Sequence, residues 1–146
     1  MRRREFIGLI GGAAVVMPLV AHAQQPDQVR RVGVLMAYGE TDPEAKALLA
    51  EFTQGLSELG WTDGRNLRLD VRWAPPNSDA MRAYAKELVA LKPDVILADT
   101  TAVTAAFQRE TQTIPIVFAI VGDPVGSGFV ASLPRPGRNI TGVWRV

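Results

Sequence analysis

The 146-residue chain has no cysteine and a single histidine, His22. Without cysteine there is no disulfide, no thiolate nucleophile and no soft sulfur ligand for a metal. His22 falls inside the first 23 residues, which read as an export signal, so the remaining chain also lacks the commonest general base. Charge of one sign is missing as well. The 16 Lys and Arg nearly balance the 15 Asp and Glu. Without the three arginines and one glutamate of the first 23 residues, 13 basic residues face 14 acidic ones, a net charge of −1. No basic cluster is left to follow a phosphate backbone, which argues against a nucleic-acid partner. The chain also has no apolar run of the ~20 residues that a membrane helix needs. The run Ile7–Val20 has 14, three of them glycine.

That short run has the surroundings of a secretory signal. Arg2, Arg3 and Arg4 precede it, and Ala21-His22-Ala23 follows as an A-x-A cleavage site. The stretch "RREFI" also resembles the twin-arginine export motif. A membrane anchor is the rival reading, and the length of the run weighs against it. The expectation is a signal over residues 1–23, a flexible mature N-terminus over 24–30, a folded domain over 31–146 and a periplasmic location. Zero cysteines suits an exported bacterial protein that needs no disulfide.

Beyond residue 30, apolar runs alternate with helical periodicity. "RVGVLM" reads as a strand. A helix follows with Leu48, Leu49, Phe52, Leu56 and Leu59 on one stripe, Thr41 or Asp42 as its cap, Pro43 in its first turn and Gly60 as its stop. "NLRLDVRW" alternates strictly, as a strand does when one face meets water at a sheet edge. A second helix runs from about Ser78 to Leu91, with Met81, Tyr84, Leu88 and Val89 inward, and Lys92-Pro93 ends it. "DVILAD" and "IPIVFAI" are almost wholly apolar, as strands covered on both faces are. A third helix, about Thr101 to Thr111, lies between them, and a last short run covers Gly142–Val146.

This alternation specifies an α/β fold: a doubly wound parallel sheet of flavodoxin-like order 2-1-3-4. Ligands of such sheets sit beyond the carboxyl ends of the strands, where the order reverses. The candidate site is therefore Ala37–Thr41, Asp99–Thr104 and Val121–Val125. In "DTTAVT", the hydroxyls of Thr100, Thr101 and Thr104 gather at a helix N-terminus that could hold a carboxylate or small anion, or simply be capped. Asp99 and Asp123 end strands and could act as an acid and base pair, hold an ammonium group or cap helices. Tyr38 and Glu40 could contact a ligand or belong to an ordinary loop.

"VGDPVGSGFV" invites a phosphate-loop reading, and its spacing refuses it. Gly122, Gly126 and Gly128 fit neither G-x-x-x-x-G-K-[ST] nor G-x-G-x-x-G, and no lysine is present. Ser127 lacks the flanking glycines of a hydrolase elbow, since Val125 and Phe129 stand there. The stretch reads instead as a strand end, a tight exit at Gly122, the carboxylate of Asp123 and a helix from Pro124 that buries Val125, Phe129, Val130 and Leu133.

"KPDVILA", "TIPIVFA", "NITG" and above all "GDPVGSGFVASLPRPG" resemble the tryptophan/tyrosine type of ABC-transporter substrate-binding protein, over Arg31 to about Gly142. The resemblance implies one lobe of a type I periplasmic binding fold and no enzymatic role, catalytic residue, metal or cofactor. It also implies a small solute such as an amino acid, received between two lobes and passed to a membrane permease with its ATPase. It carries the ligand-binding role onto Tyr38, Thr101 and Asp123, beside Thr100, Thr104 and Gly122 of the same loops. The chain departs from the family at Thr100, where a small residue is usual, at Ala102, where proline is frequent, and at Arg138, where a second glycine stands. Family members run to about twice this length, so the expectation is an N-terminal lobe whose second lobe is missing. The alternatives are a non-functional fragment and a flavodoxin-like enzyme or nucleotide-binding domain.

Overall fold

The computed structural model of the protein describes residues 28–75, 78–132 and 135–142. The signal expected over residues 1–23, the inward Leu133 and the end of the last run, 143–146, lie outside the described residues. Eight elements follow in order: β1 (Arg30–Met36), α1 (Pro43–Glu58), β2 (Leu67–Trp73), α2 (Ser78–Ala90), β3 (Val95–Thr100), α3 (Thr101–Glu110), β4 (Ile116–Ile120) and β5 (Ile140–Gly142). Arg30, expected in the flexible lead-in, already belongs to β1, where its N–H donates to the Asn66 carbonyl at 3.0 Å.

All neighbouring strands run parallel, in the order β2-β1-β3-β4-β5. The expected 2-1-3-4 order is present, and β5 extends it by one strand. β1 pairs with β2 from Arg30↔Leu67 to Met36↔Trp73, and with β3 from Val32↔Val95 to Leu35↔Ala98.

Strand alternation divides the core into two layers. Val32, Val34 and Met36 of β1 face α1, together with Leu67 of β2 and the partly buried Leu48, Leu49, Phe52 and Leu56 of α1. Leu35 faces the other way, into the larger cluster with Ile96, Ala98, Ile116 and Phe118 of the sheet, Met81, Ala85 and Leu88 of α2, and Val103, Ala106 and Phe107 of α3. The 81-85-88 spacing is one stripe of a helix.

Local chemistry sets the ends of α1. Asp42 is the cap, and its Oδ1 accepts from the N–H groups of Glu44 (2.9 Å) and Ala45 (3.1 Å). Pro43 holds the first helical position. At the far end Gly60, at φ 93°, turns the chain away in a left-handed conformation that glycine adopts without strain.

Three expectations are corrected. Leu59, placed on the buried stripe of α1, is 77% exposed, because it is the C-cap residue and has left the helical phase. β4 is covered only along its first part: Ile116 and Phe118 are buried and Val117 is half-buried, while Ala119 and Ile120 at its carboxyl end are exposed, Ile120 at 52%. No helix begins at Pro124. That segment closes as a compact turn in which Gly128 takes φ 78°, and Val125 is 44% exposed.

The polar face of β2 is also more engaged than an edge facing water would be. Arg31 Nε donates to Asp70 Oδ2 at 2.7 Å, and Arg72 Nη2 donates to Glu87 Oε1 on α2 at 2.8 Å.

Phe107 and Leu59 supply the contrast that tests this core. Phe107→Ala is expected to cost about 3–5 kcal/mol, because a fully buried ring leaves a cavity between α3 and the sheet. Leu59→Ala should stay within about 0.5 kcal/mol. Urea unfolding of both variants checks the pair, and a similar cost at the two positions would contradict the assigned layers.

Candidate functional site

β1, β3 and β4 end at the same side of the sheet, so the segments that follow them share one edge. Thr100 at the end of β3 pairs with Ile120 at the end of β4. On the other flank the Ala37 N–H, just past β1, donates to both carboxylate oxygens of Asp99, at 3.2 and 3.1 Å. The three expected segments, after Met36, after Thr100 and after Ile120, thus lie along one edge of the sheet.

Asp99 is buried at 4% exposure. Burial raises its pKa to about 6, against hydrogen bonds from Ala37, from its own backbone and from the hydroxyl and backbone of Thr100, which pull the other way. Its carboxylate is taken up by the Ala37 N–H and by Thr100.

The threonines divide by role. Thr100 is the N-cap of α3: its side chain accepts from the Val103 N–H at 3.4 Å. Thr104 is fully buried, and its hydroxyl donates to the Thr100 carbonyl at 2.8 Å. Thr101 is exposed at the first helical position, where the backbone N–H groups of Thr101 and Ala102 have no intrahelical acceptor. Among the three threonines, Thr101 is the exposed one, at the positive end of α3.

Tyr38 leaves β1 half-buried and packs against the α1-side cluster. Its phenol pKa is raised by burial first, then by the nearby charges of Asp99, Glu44 and Asp42. It is a neutral hydroxyl on an aromatic ring in an acidic surrounding.

Beyond β4, Gly122 and Asp123 are exposed. Asp123 Oδ1 accepts from the Gly126 N–H at 2.8 Å, and its carbonyl accepts from the Ser127 N–H at 2.9 Å. A Cβ at position 126 would meet the Asp123 carboxylate, which would have to give up its place beside the Gly126 N–H. Pro124, Phe129 and Val130 anchor the turn in the core, and Gln108 of α3 donates to the Gly128 carbonyl at 3.1 Å. Sequence reasoning placed Asp99 in the crevice and missed its partner, Ala37. The signal available was an aspartate closing an otherwise apolar central strand, since a buried carboxylate needs donors.

Asp99 gives stability a definite pH dependence. In the unfolded chain an aspartate titrates near 3.9, whereas in the fold this one titrates near 6. The folded state therefore holds the proton more tightly, so the group's contribution is complete below about pH 4 and is lost as pH rises through about 6. The expected decline is about 2–3 kcal/mol by pH 7. Urea unfolding of the wild type and Asp99→Asn from pH 4 to 7 measures it, and parallel curves would rule it out.

Comparison with known proteins is consistent with this geometry. The family model for ABC transporter substrate binding proteins matches residues 31–145. A curated tyrosine-binding protein from Clostridioides difficile (strain R20291) is 35% identical over 91 residues, which are 62% of this chain and 26% of that protein. The ligand-free, open structure of a substrate-binding protein with adhesive properties from Clostridium difficile superposes with a TM-score of 0.72 at 30% identity, covering 78% of this chain and 38% of the other. A Streptococcus pneumonia domain in complex with L-Trp superposes with a TM-score of 0.73 at 26% identity, covering 80% and 39%. The chain thus spans about two fifths of these solved relatives and about a quarter of the curated one. Its sheet and helices are those of a periplasmic binding protein fold. The chain belongs to the ABC transporter substrate-binding protein family.

Proposed function

We propose that this chain is the N-terminal, solute-holding lobe of an exported binding protein that serves an ABC importer, and that its solute is an amino acid with an aromatic side chain. The observation that carries the reading is the open N-terminus of α3, with Thr101 exposed, at the same sheet edge as the half-buried ring of Tyr38. In this reading the solute's carboxylate sits on the first-turn N–H groups and the Thr101 hydroxyl, a placement worth about 0.3–1 kcal/mol at an exposed helix end and up to ~2 when partly buried. Tyr38 offers an aromatic face to the side chain. Gly122 leaves the β4 exit without a side chain, and Asp123 faces the ammonium group. Thr100 and Thr104 act through α3, one capping it and the other bracing its first turn.

Support for an aromatic amino acid comes from the relatives, one a tyrosine-binding protein and one seen in complex with L-Trp. The role is binding without catalysis, metal or cofactor. A second lobe would close over the solute, exclude water and add the contacts that set specificity. The permease and its ATPase would receive the solute. Residues 1–23 would direct export to the periplasm and be removed after Ala23.

Calorimetric titration of the chain, alone and joined to the second lobe of a relative, tests the site. L-Trp or L-Tyr should bind at least about tenfold more tightly than L-Leu, and tryptamine, which lacks the carboxylate, should lose binding. Thr101→Val should weaken L-Trp by about tenfold, and Asp123→Ala should weaken it further. Equal affinities for L-Trp and tryptamine, unchanged by Thr101→Val, would remove the carboxylate from α3. N-terminal sequencing of the periplasmic protein should begin at Gln24, and retention of Met1 would refute the cleaved signal.

A further inference from the structure

We infer that Asp99 is the positioning residue of the crevice: its buried carboxylate joins the exit of β1 to the exit of β3 and sets Tyr38 and Thr101 relative to each other. The inference rests on the amino-acid reading of the crevice given above, and it adds a residue that no solute atom need touch.

The backbone explains why such a joint is required. The β1–β3 register ends at Leu35↔Ala98. One step further the strands part, and the Asp99 side chain takes over from the ladder by accepting from the Ala37 N–H with both oxygens, at 3.2 and 3.1 Å. On one side of this joint, Ala37 is followed directly by Tyr38. On the other, Asp99 is followed by Thr100, which reaches the same carboxylate with its hydroxyl and caps α3 at Val103. Thr101 comes next. One buried group therefore fixes both segments that the solute would meet.

An apolar residue would fill the space at lower desolvation cost, so packing alone does not account for a carboxylate at 4% exposure. What the carboxylate supplies is a directional acceptor for donors on two different segments. From the β1 exit it faces Tyr38. Asp42 and Glu44, at the start of α1, act on Tyr38 in turn, and the first turn of α3 carries no acidic residue. Protonation therefore alters the joint itself, and both segments should register it.

Amide spectroscopy on the full chain tests the joint without any solute. The Ala37 N–H should be protected from hydrogen exchange, lose most of that protection in Asp99→Ala, and regain it in Asp99→Asn, which keeps an acceptor oxygen. The Ala37 and Thr101 amide resonances should shift together between pH 5 and 7 in the wild type and stay still in Asp99→Asn. In the same samples L-Trp affinity should fall about tenfold or more in Asp99→Ala and stay within about threefold in Asp99→Asn.

Unchanged Ala37 protection in Asp99→Ala, or Ala37 and Thr101 amides that do not move together in the wild type, would overturn the inference. So would L-Trp affinity that is unaltered by Asp99→Ala but weakened by Thr101→Val. If Asp99→Ala fails to fold, the comparison of wild type with Asp99→Asn across pH decides alone. A joint that behaves as expected in a chain that binds no aromatic amino acid would establish the coupling and refute the solute.

Discussion

Parallel strands cannot be joined by a tight turn, so each connection must cross over the sheet, and in this chain the crossovers leave β1 on opposite faces. The connection from β1 to β2 carries α1 over one face, while α2 and α3 lie over the other. Because β1 sits between β2 and β3, the segments that leave β1 and β3 turn to opposite sides and open a cleft between them. The two core layers, the exposure of Thr101 and the position of Tyr38 all follow from that reversal. A sheet built in the order 1-2-3-4 would bring similar residues to its edge without a cleft to receive a solute.

The glycine-rich turn after β4 is understood by asking where its donors go. A phosphate cradle needs consecutive N–H groups pointing at the ligand. Here Gly126 donates to the Asp123 side chain, Ser127 to the Asp123 carbonyl, Gly128 to the Val125 carbonyl and Phe129 to the Pro124 carbonyl. Four successive donors close the turn on itself. Glycine is favoured at 128 by its left-handed conformation, and at 126 it leaves the Asp123 carboxylate in place. These four amides are taken up within the turn and are not offered to a phosphate.

Much of this was legible in the sequence, for reasons that can be traced. Strict alternation in Leu67–Trp73 marked an edge strand because one face had to meet polar neighbours, and continuous apolar runs marked central strands. Asp42, Pro43 and Gly60 bounded α1 because capping chemistry is local. The failures share one cause, since each depended on a partner distant in sequence or on a conformation that overrides periodicity. The apolar spacing after Pro124 suits a helix, but Asp123 and Gly128 end it within a turn. The apolar run of β4 predicted two covered faces along its length, whereas Ala119 and Ile120, on opposite faces of its carboxyl end, are both exposed. At the site, the run of threonines was visible, but its division into cap, brace and exposed hydroxyl required the register of α3 against β3. Asp99 was visible too, and its donor at Ala37 lies 62 residues away.

The electrostatic character of the crevice narrows what it suits. The start of α3 presents N–H groups without an intrahelical acceptor and half of a helix dipole, which alone would favour any anion. Around Tyr38, however, stand Asp99, Glu44 and Asp42, whose charges raise the phenol's pKa. A simple anion bound at α3 would share the sheet edge with Asp99 and the acidic surroundings of Tyr38, and a simple cation drawn to those groups would share it with the helix N-terminus. In the proposed reading a zwitterion would suit this mixture, with its carboxylate at the helix and its ammonium at the carboxylate of Asp123. The near-neutral balance of the chain beyond its first 23 residues adds no long-range field to favour either charge. In the proposed reading, selectivity for an amino acid over an organic acid or an amine would come from these two opposed local fields at one sheet edge, with the joint at Asp99 setting their relation.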